Sequence, residues 1–142
     1  MKFKEFIKDS FEEINETVEG INNTGIGFII TYTLQLIAQV HVWHLICLSG
    51  QKHTALGELY EELQSEVDKL AEKFIAQGGV LQPISESIST SYDEEIVRSK
   101  LEEYRNLVTS GIDTNPSMAS IVDSLTELQE IIDSKLYKFN LQ

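Results

Sequence analysis

The sequence is short of cysteine and of basic residues, and each shortage excludes a class of protein. Its single cysteine, Cys47, has no partner for an internal disulfide, which is typical of an intracellular protein. The charged N-terminus has no apolar segment with a cleavage site, so we expect no signal peptide and a cytoplasmic location. Lys and Arg number 11 against 23 Asp and Glu, a net charge of -12. Because phosphate contacts need clustered basic side chains, we expect no nucleic-acid partner.

Charged residues are missing altogether from Gly25 to Leu48. This stretch is long enough to cross a membrane. However, Thr, Gln and His side chains are spread along it, and no basic cluster lies at either end. We therefore expect no membrane contact, and we interpret the stretch as a helix at the centre of a homo-oligomer.

Hydrophobic periodicity predicts an all-α domain over residues 1–142, without strands. An additional amphipathic helix is expected in residues 1–20, and a bundle of four helices in residues 24–142. The second bundle helix should run from about Gln51 to Gln77, after the uncharged one. Ser91 with Glu94 forms a capping-box pattern for the third, and Asn115 before Pro116 is predicted to begin the fourth. The apolar stripes of the last three helices are Leu56, Leu59, Leu63, Val67, Leu70 and Phe74; Val97, Leu101, Tyr104 and Val108; and Met118, Val122, Leu125, Leu128, Ile132, Leu136 and Phe139.

Residues able to bind a metal are concentrated in one part of the chain. The three histidines, His41, His44 and His53, precede Asp68 and Glu72, whose four-residue spacing puts both carboxylates on one helix face. Because no histidine follows His53, the last two helices cannot supply the Glu-x-x-His motifs of a di-iron site inside one bundle.

The segment DKLAEKFIAQGGV, residues 68–80, resembles the end of the second core helix of the Dps-like mini-ferritins, where an Asp-x-x-x-Glu pair precedes a Gly-Gly turn. A count without gaps places His53 on that family's second histidine. The first, which lies next to a tryptophan, falls in HVWH, residues 41–44. The resemblance implies a ferritin-like four-helix bundle in a closed shell, such as a dodecamer, that oxidises Fe(II) with peroxide or oxygen and stores the iron.

In that family the metal site lies at a two-fold interface between subunits. The resemblance therefore implies that His44 and His53 bind iron from one subunit and that Asp68 and Glu72 bind it from the neighbour. Imidazole with carboxylate also suits zinc or manganese. His41 is the alternative to His44, because the alignment of the turn is ambiguous.

Two departures from the family pattern leave a second hypothesis open. Gly57 stands where the family has an acidic residue, with Glu58 beside it and Glu61 one turn further as possible substitutes. In addition, the His-Trp order is not reproduced. The alternative is a ferritin-like scaffold without catalysis, a structural or interaction protein like the diverged members found in tailed phages. We interpret Trp43 as interface packing and Cys47 as a small buried hydrophobe.

Overall fold

The computed structural model describes residues 25–140, and all the regular structure within that range is helical. Its four helices are α1 (Ile26–Ile46), α2 (Gly50–Ala76), α3 (Glu94–Thr114) and α4 (Ala119–Asn140). This confirms the predicted all-α class and the four helices. The additional helix expected in residues 1–20 lies outside the described residues.

Contacts between pairs of helices fix their directions. Across α1 and α2, His44 meets His53 and the earlier His41 meets the later Tyr60, so this hairpin is antiparallel. Across α3 and α4, Thr109 meets Gln129 and the earlier Arg105 meets the later Asp133, so the second hairpin is antiparallel too. Lys135 of α4 reaches Glu58 of α2, whereas Lys73 reaches Ser124, so these two helices are also antiparallel. Helices α2 and α3 therefore point the same way.

The connection between α2 and α3, residues 77–93, must run the length of the bundle because both helices begin at the same end. It follows α1, to which polar side chains attach it. Thr31 donates to the Gln82 carbonyl over 2.6 Å, and the Gln39 amide donates to and accepts from the Ser89 backbone over 3.0 and 2.7 Å. The four helices therefore form two antiparallel hairpins, α1–α2 and α3–α4, joined by one long crossover.

The buried core contains the predicted stripes of α2 and α3 in full. In α4 the stripe is buried from Leu125 to Phe139, while Met118 and Val122 are only half-buried. Helix α1 buries residues on most of its circumference, and by length and composition it is apolar enough to cross a membrane. Within the described residues it packs on α2, and Thr33 of α1 meets the Tyr104 hydroxyl of α3.

Two predicted helix starts were wrong. The side chain of Asp93, not Ser91, caps α3, accepting from the amides of Glu95 and Ile96. Asn115 does not begin α4: it is the C-cap of α3, its side-chain amide donates to the Gly111 carbonyl, and α4 begins at Ala119. The physical reason is that Asn satisfies unpaired groups at either end of a helix.

Candidate metal centre at the turn between α1 and α2

His44 and His53 face each other across the three-residue turn that joins α1 to α2. Their rings stack with centroids 3.9 Å apart and planes inclined by 23°. The contact is reciprocal: Nδ1 of His44 lies 2.7 Å from the His53 carbonyl, and Nδ1 of His53 lies 2.7 Å from the His44 carbonyl. We call this arrangement the histidine clasp. It ties the last turn of α1 to the first turn of α2.

The clasp determines which ring nitrogens remain for chemistry. A carbonyl oxygen only accepts hydrogen bonds, so each Nδ1 must carry the proton. In a neutral imidazole the lone pair then lies on Nε2. Histidines that bind metals usually have this form, because their second nitrogen donates to a carbonyl or carboxylate that fixes the ring. The structure thus brings together His44 and His53, two of the four predicted ligands, in a form suited to binding.

His41 lies one turn before His44 on α1 and is exposed. Its ring stacks on Tyr60 of α2 at 4.2 Å, and its centroid is 6.4 Å from that of His44. Tyr60 also contacts His44 edge-on at 5.6 Å. His41 is therefore a neighbour of the clasp and not a member of it. Tyr60 was not among the sequence-predicted site residues, because its role depends on the register between α1 and α2.

The His44 ring occupies the space beside Gly57 where any other residue would have its side chain. A Cβ atom added at Gly57 would lie 2.8 Å from Cε1 and 3.0 Å from Nδ1 of His44. Carbon atoms pack at about 3.5–4.0 Å, so any side chain at this position would displace the imidazole. The departure at Gly57 thus has a local structural reason: the glycine allows His44 to lie against α2.

Asp68 and Glu72 are exposed on α2, far from the clasp in the same chain. Fifteen residues separate His53 from Asp68, which is about 22 Å along a helix. Within residues 25–140, no group of three or more His, Cys, Asp or Glu side chains could hold a metal ion. A site that uses both halves therefore requires a second chain.

Glu58 and Glu61, the substitutes considered for the missing acid, have different surroundings. Glu58 turns toward α4, where Lys135 and Lys138 donate to its Oε2 over 2.8 and 3.0 Å. The hydrogen bond from Lys135, followed by that from Lys138, lowers the pKa of Glu58 to about 2. Glu58 is therefore part of an ion cluster between α2 and α4. Glu61 is exposed on α2, one residue after Tyr60.

Lys135 is the centre of that ion cluster, which was not predicted. Its side chain is only 5% exposed, and it also reaches Glu62 over 3.1 Å. Burial pushes the pKa of Lys135 down, but the hydrogen bonds to Glu58 and Glu62 outweigh this and leave the pKa raised. The cluster thus stabilises the charged ammonium inside the α2–α4 contact.

Trp43 and Cys47 both belong to the bundle core. Trp43 is 2% exposed within the single chain, so its assignment to interface packing was wrong: the core of the same subunit covers it. Cys47 is buried, as predicted, and its thiol lies against the Tyr92 hydroxyl. Neither residue supplies an exposed group to the candidate centre.

The fold and the clasp together define an all-helical bundle protein with a paired-imidazole site at one end. A family model matches residues 44–139, more than half of the chain. The protein therefore belongs to that family, DUF5856, which is described as a family of unknown function. No curated protein and no solved structure matches the chain.

Proposed function

We propose that this protein is a ferritin-like, metal-binding homo-oligomer. In this proposal each site takes imidazole nitrogens from one subunit and carboxylates from another. The observation that carries it is the histidine clasp, which holds two rings 3.9 Å apart with both Nδ1 atoms donating to carbonyls. The clasp leaves the Nε2 lone pair of each ring unused, and imidazole nitrogen suits a divalent transition metal such as iron, zinc or manganese.

Two nitrogens alone leave a metal ion short of ligands, since four protein ligands are usual in structural zinc sites. The exposed carboxylates of Asp68 and Glu72 are a chemically suitable complement. Because they lie about 22 Å (Asp68) and about 28 Å (Glu72) from His53 along α2, a second copy must supply them. The crossover along α1 supports a ferritin-like bundle, since one long crossover is typical of that fold.

With Fe(II) as substrate, this arrangement would act as a ferroxidase. Two Fe(II) ions would supply the two electrons that reduce one hydrogen peroxide to water, with two protons taken from the solvent. The carboxylates would balance the added positive charge of Fe(III), which prefers oxygen ligands. The excess acidity of the chain, -12, would attract cations to the assembly.

The test separates metal binding from support of the fold. His53→Asn keeps a side-chain N–H close to the position of Nδ1, so the clasp can persist, but it removes Nε2. Asp68→Asn keeps the size and removes the charge. We expect each variant to lose binding of Fe(II), Zn(II) or Mn(II) in anaerobic titration calorimetry, with an unchanged helical signal. Asp123→Asn, an exposed change on α4, is the matched control and should bind as wild type does.

Mixing the two variants provides a further check on the shared site. In a two-fold pair that contains one His53→Asn chain and one Asp68→Asn chain, one site carries both defects and the other carries none. Random mixing should therefore restore about a quarter of the wild-type capacity. Wild-type protein that binds none of the three metals would end this proposal.

The second candidate function is that of a scaffold, and the clasp itself favours it. Two hydrogen bonds and a ring stack join α1 to α2. These contacts stabilise the hairpin by themselves, so they explain the presence of both histidines even in a bundle that binds no metal. In that case His53→Asn should leave the melting temperature close to that of wild type, whereas His53→Ala should lower it.

A further inference from the structure

The side of α1 that points away from the bundle core keeps apolar side chains in contact with solvent. We call it the outer face, and its members follow one another at intervals of four, three and four residues: Leu34, Ala38, His41 and Leu45. Leu34 and Leu45 are 44% and 67% exposed, and Ala38 is half-buried. Because this spacing follows one side of a helix, the outer face is a continuous strip on which another helix can pack.

The connection between α2 and α3 extends this strip toward the start of α1. Gly27 lies two turns before Leu34 on the same side of the helix. A Cβ atom added at Gly27 would collide with the Val80 carbonyl, so the connection passes directly over the first turn of α1. At that point Val80 and Leu81 are themselves 55% and 38% exposed. The apolar surface from Gly27 to Leu45 is therefore about 27 Å long.

The sequence before α1 carries an apolar stripe of the same length. Its residues recur at spacings of three and four, as in one side of an amphipathic helix: Phe3, Ile7, Phe11, Ile14, Val18 and Ile21. From the first to the last of them a helix rises about 27 Å. Residues 1–24 lie outside the described part of the chain, and a stripe of this kind requires an apolar surface to cover it.

The short link between this stripe and α1 restricts how the two can meet. Only residues 22–25 separate Ile21 from Ile26, the first residue of α1. Two helices joined by two to five residues form an antiparallel hairpin. Gly25 suits such a reversal, because its φ of 75° lies in the left-handed region. The geometry of the link therefore directs the preceding segment back along α1.

We infer that residues 1–21 form a helix that packs antiparallel on the outer face of α1 in the same chain. Counted outward from the link, Ile14 then faces Leu34, and Phe3 faces Leu45. The tether favours the chain's own segment over a second copy. A short link holds the segment at an effective concentration in the millimolar range, which a second copy at micromolar concentration does not match.

The charges of the segment agree with this docking. At about 100° per residue, its acidic side chains lie on the side of the helix opposite the apolar stripe. They are Glu5, Asp9, Glu12, Glu13, Glu16 and Glu19. The acids therefore remain in water, and an uncharged side meets the uncharged α1. Lys2, Lys4 and Lys8 come to the end of the bundle where α3 begins, and there residues 93–95 are all acidic.

Cross-linking within one chain tests the inference in the full-length protein. In a Cys47→Ala background, two pairs of thiols would be treated with a short bismaleimide. The pairs are Ile14→Cys with Leu34→Cys, and Phe3→Cys with Leu45→Cys. Each pair should give a product of monomer mass in high yield, and peptide mass spectrometry should find the two positions joined. Cross-linking of the second pair requires the segment to follow α1 over its whole length.

Matched control pairs place the first thiol on the opposite side of the segment. They are Glu16→Cys with Leu34→Cys, and Glu5→Cys with Leu45→Cys. The tether is nearly the same as in the test pairs, so proximity along the chain is unchanged. These controls should give several-fold less product, because the helix itself separates the two thiols.

The reactivity of a single thiol gives an independent measurement. In the same background, Leu45→Cys should react slowly with a maleimide, because the segment covers it. Adding Phe11→Asp with Ile14→Asp should raise the rate about tenfold or more, since burying two unpaired carboxylates disfavours docking. Glu13→Gln with Glu16→Gln, on the opposite side of the segment, should leave the rate unchanged.

Four results would overturn the inference. Equal yields from test and control pairs would show that the stripe does not face α1. Rapid labelling of Leu45→Cys beside an unaltered segment would show an open face. Slow labelling that the two aspartates leave unchanged would indicate a different cover. A dimer from mixed Ile14→Cys and Leu34→Cys single variants would show that a second copy supplies the segment. All these measurements are made in EDTA, so their outcome is independent of the proposed function.

Discussion

Replacing Gly57 with alanine should separate the intrinsic helix preference of this position from its contact with His44. Alanine in a helix interior is usually about 0.8–1.0 kcal/mol more stable than glycine. Here the new Cβ would lie 2.8 Å from His44 Cε1, so the ring must retreat by about 0.7 Å to reach normal contact. That movement strains the 2.7 Å bond from His44 Nδ1 to the His53 carbonyl.

The expected change follows from the two opposing effects. A lost hydrogen bond costs about 0.5–1.5 kcal/mol, which offsets the gain from alanine. We therefore expect Gly57→Ala to leave the free energy of unfolding within about 1 kcal/mol of wild type, and to weaken metal binding through the displaced ring. In a His44→Ala background the imidazole ring is absent, so Gly57→Ala should stabilise the protein by the full amount of about 1 kcal/mol.

Urea unfolding of the four proteins gives the coupling energy between the two positions, which should be about 1 kcal/mol. Gly50→Ala is the matched control, since an added Cβ there meets nothing within 4 Å. It should be stabilising by about 0.4–1 kcal/mol. The reasoning would be refuted if Gly57→Ala stabilised the wild-type background as much as the His44→Ala background, with metal binding intact.

Two further predictions concern polar contacts away from the clasp. Because the pKa of Glu58 is lowered to about 2, its ion pair with Lys135 stabilises the fold above the ordinary pKa of about 4.5, and this contribution is lost as the pH falls toward 2. The difference in melting temperature between wild type and Glu58→Gln should therefore shrink as the pH falls from 5 to 2. A difference that stays constant over this range would contradict the stabilising role of the ion pair. In the core, the Thr33 hydroxyl donates to the Ile29 carbonyl and so accepts from Tyr104. Thr33→Val should cost about 1–3 kcal/mol in urea unfolding, and adding Tyr104→Phe should recover part of that loss, because no buried hydroxyl is then left unpaired.

The sequence was sufficient to predict the four helices of residues 25–140 and most of the core faces of the last three. Leu56 to Phe74 in α2 recur at helical spacing and are buried, because a long periodic stripe has one way of meeting a core. Helix starts were less predictable, since Ser91, Asp93 and Asn115 all have side chains that cap helices. Which one does so depends on the path of the connection, and this is a tertiary property.

The candidate site could be predicted as a set of residue types but not as a geometry. The histidines were identified by their concentration, yet the reciprocal bonds of His44 and His53 depend on the register across the turn. Gly57 illustrates the limit most clearly. Its sequence context indicates a missing ligand, whereas the structure shows that the imidazole of His44 fills the space. Trp43 was misassigned because an aromatic residue on an uncharged helix suits a core as well as an interface.

The uncharged character of α1 has a consequence for synthesis of the chain. When α1 leaves the ribosome before α2 exists, its apolar residues have no bundle to cover them, and its length and hydropathy match those of a membrane span. At about 5–20 residues per second, the 27 residues of α2 follow within roughly 1–6 s. The turn between them is short, so the hairpin can close as soon as α2 emerges. The histidine clasp lies at that turn, and it can join the two helices before α3 and α4 have been made.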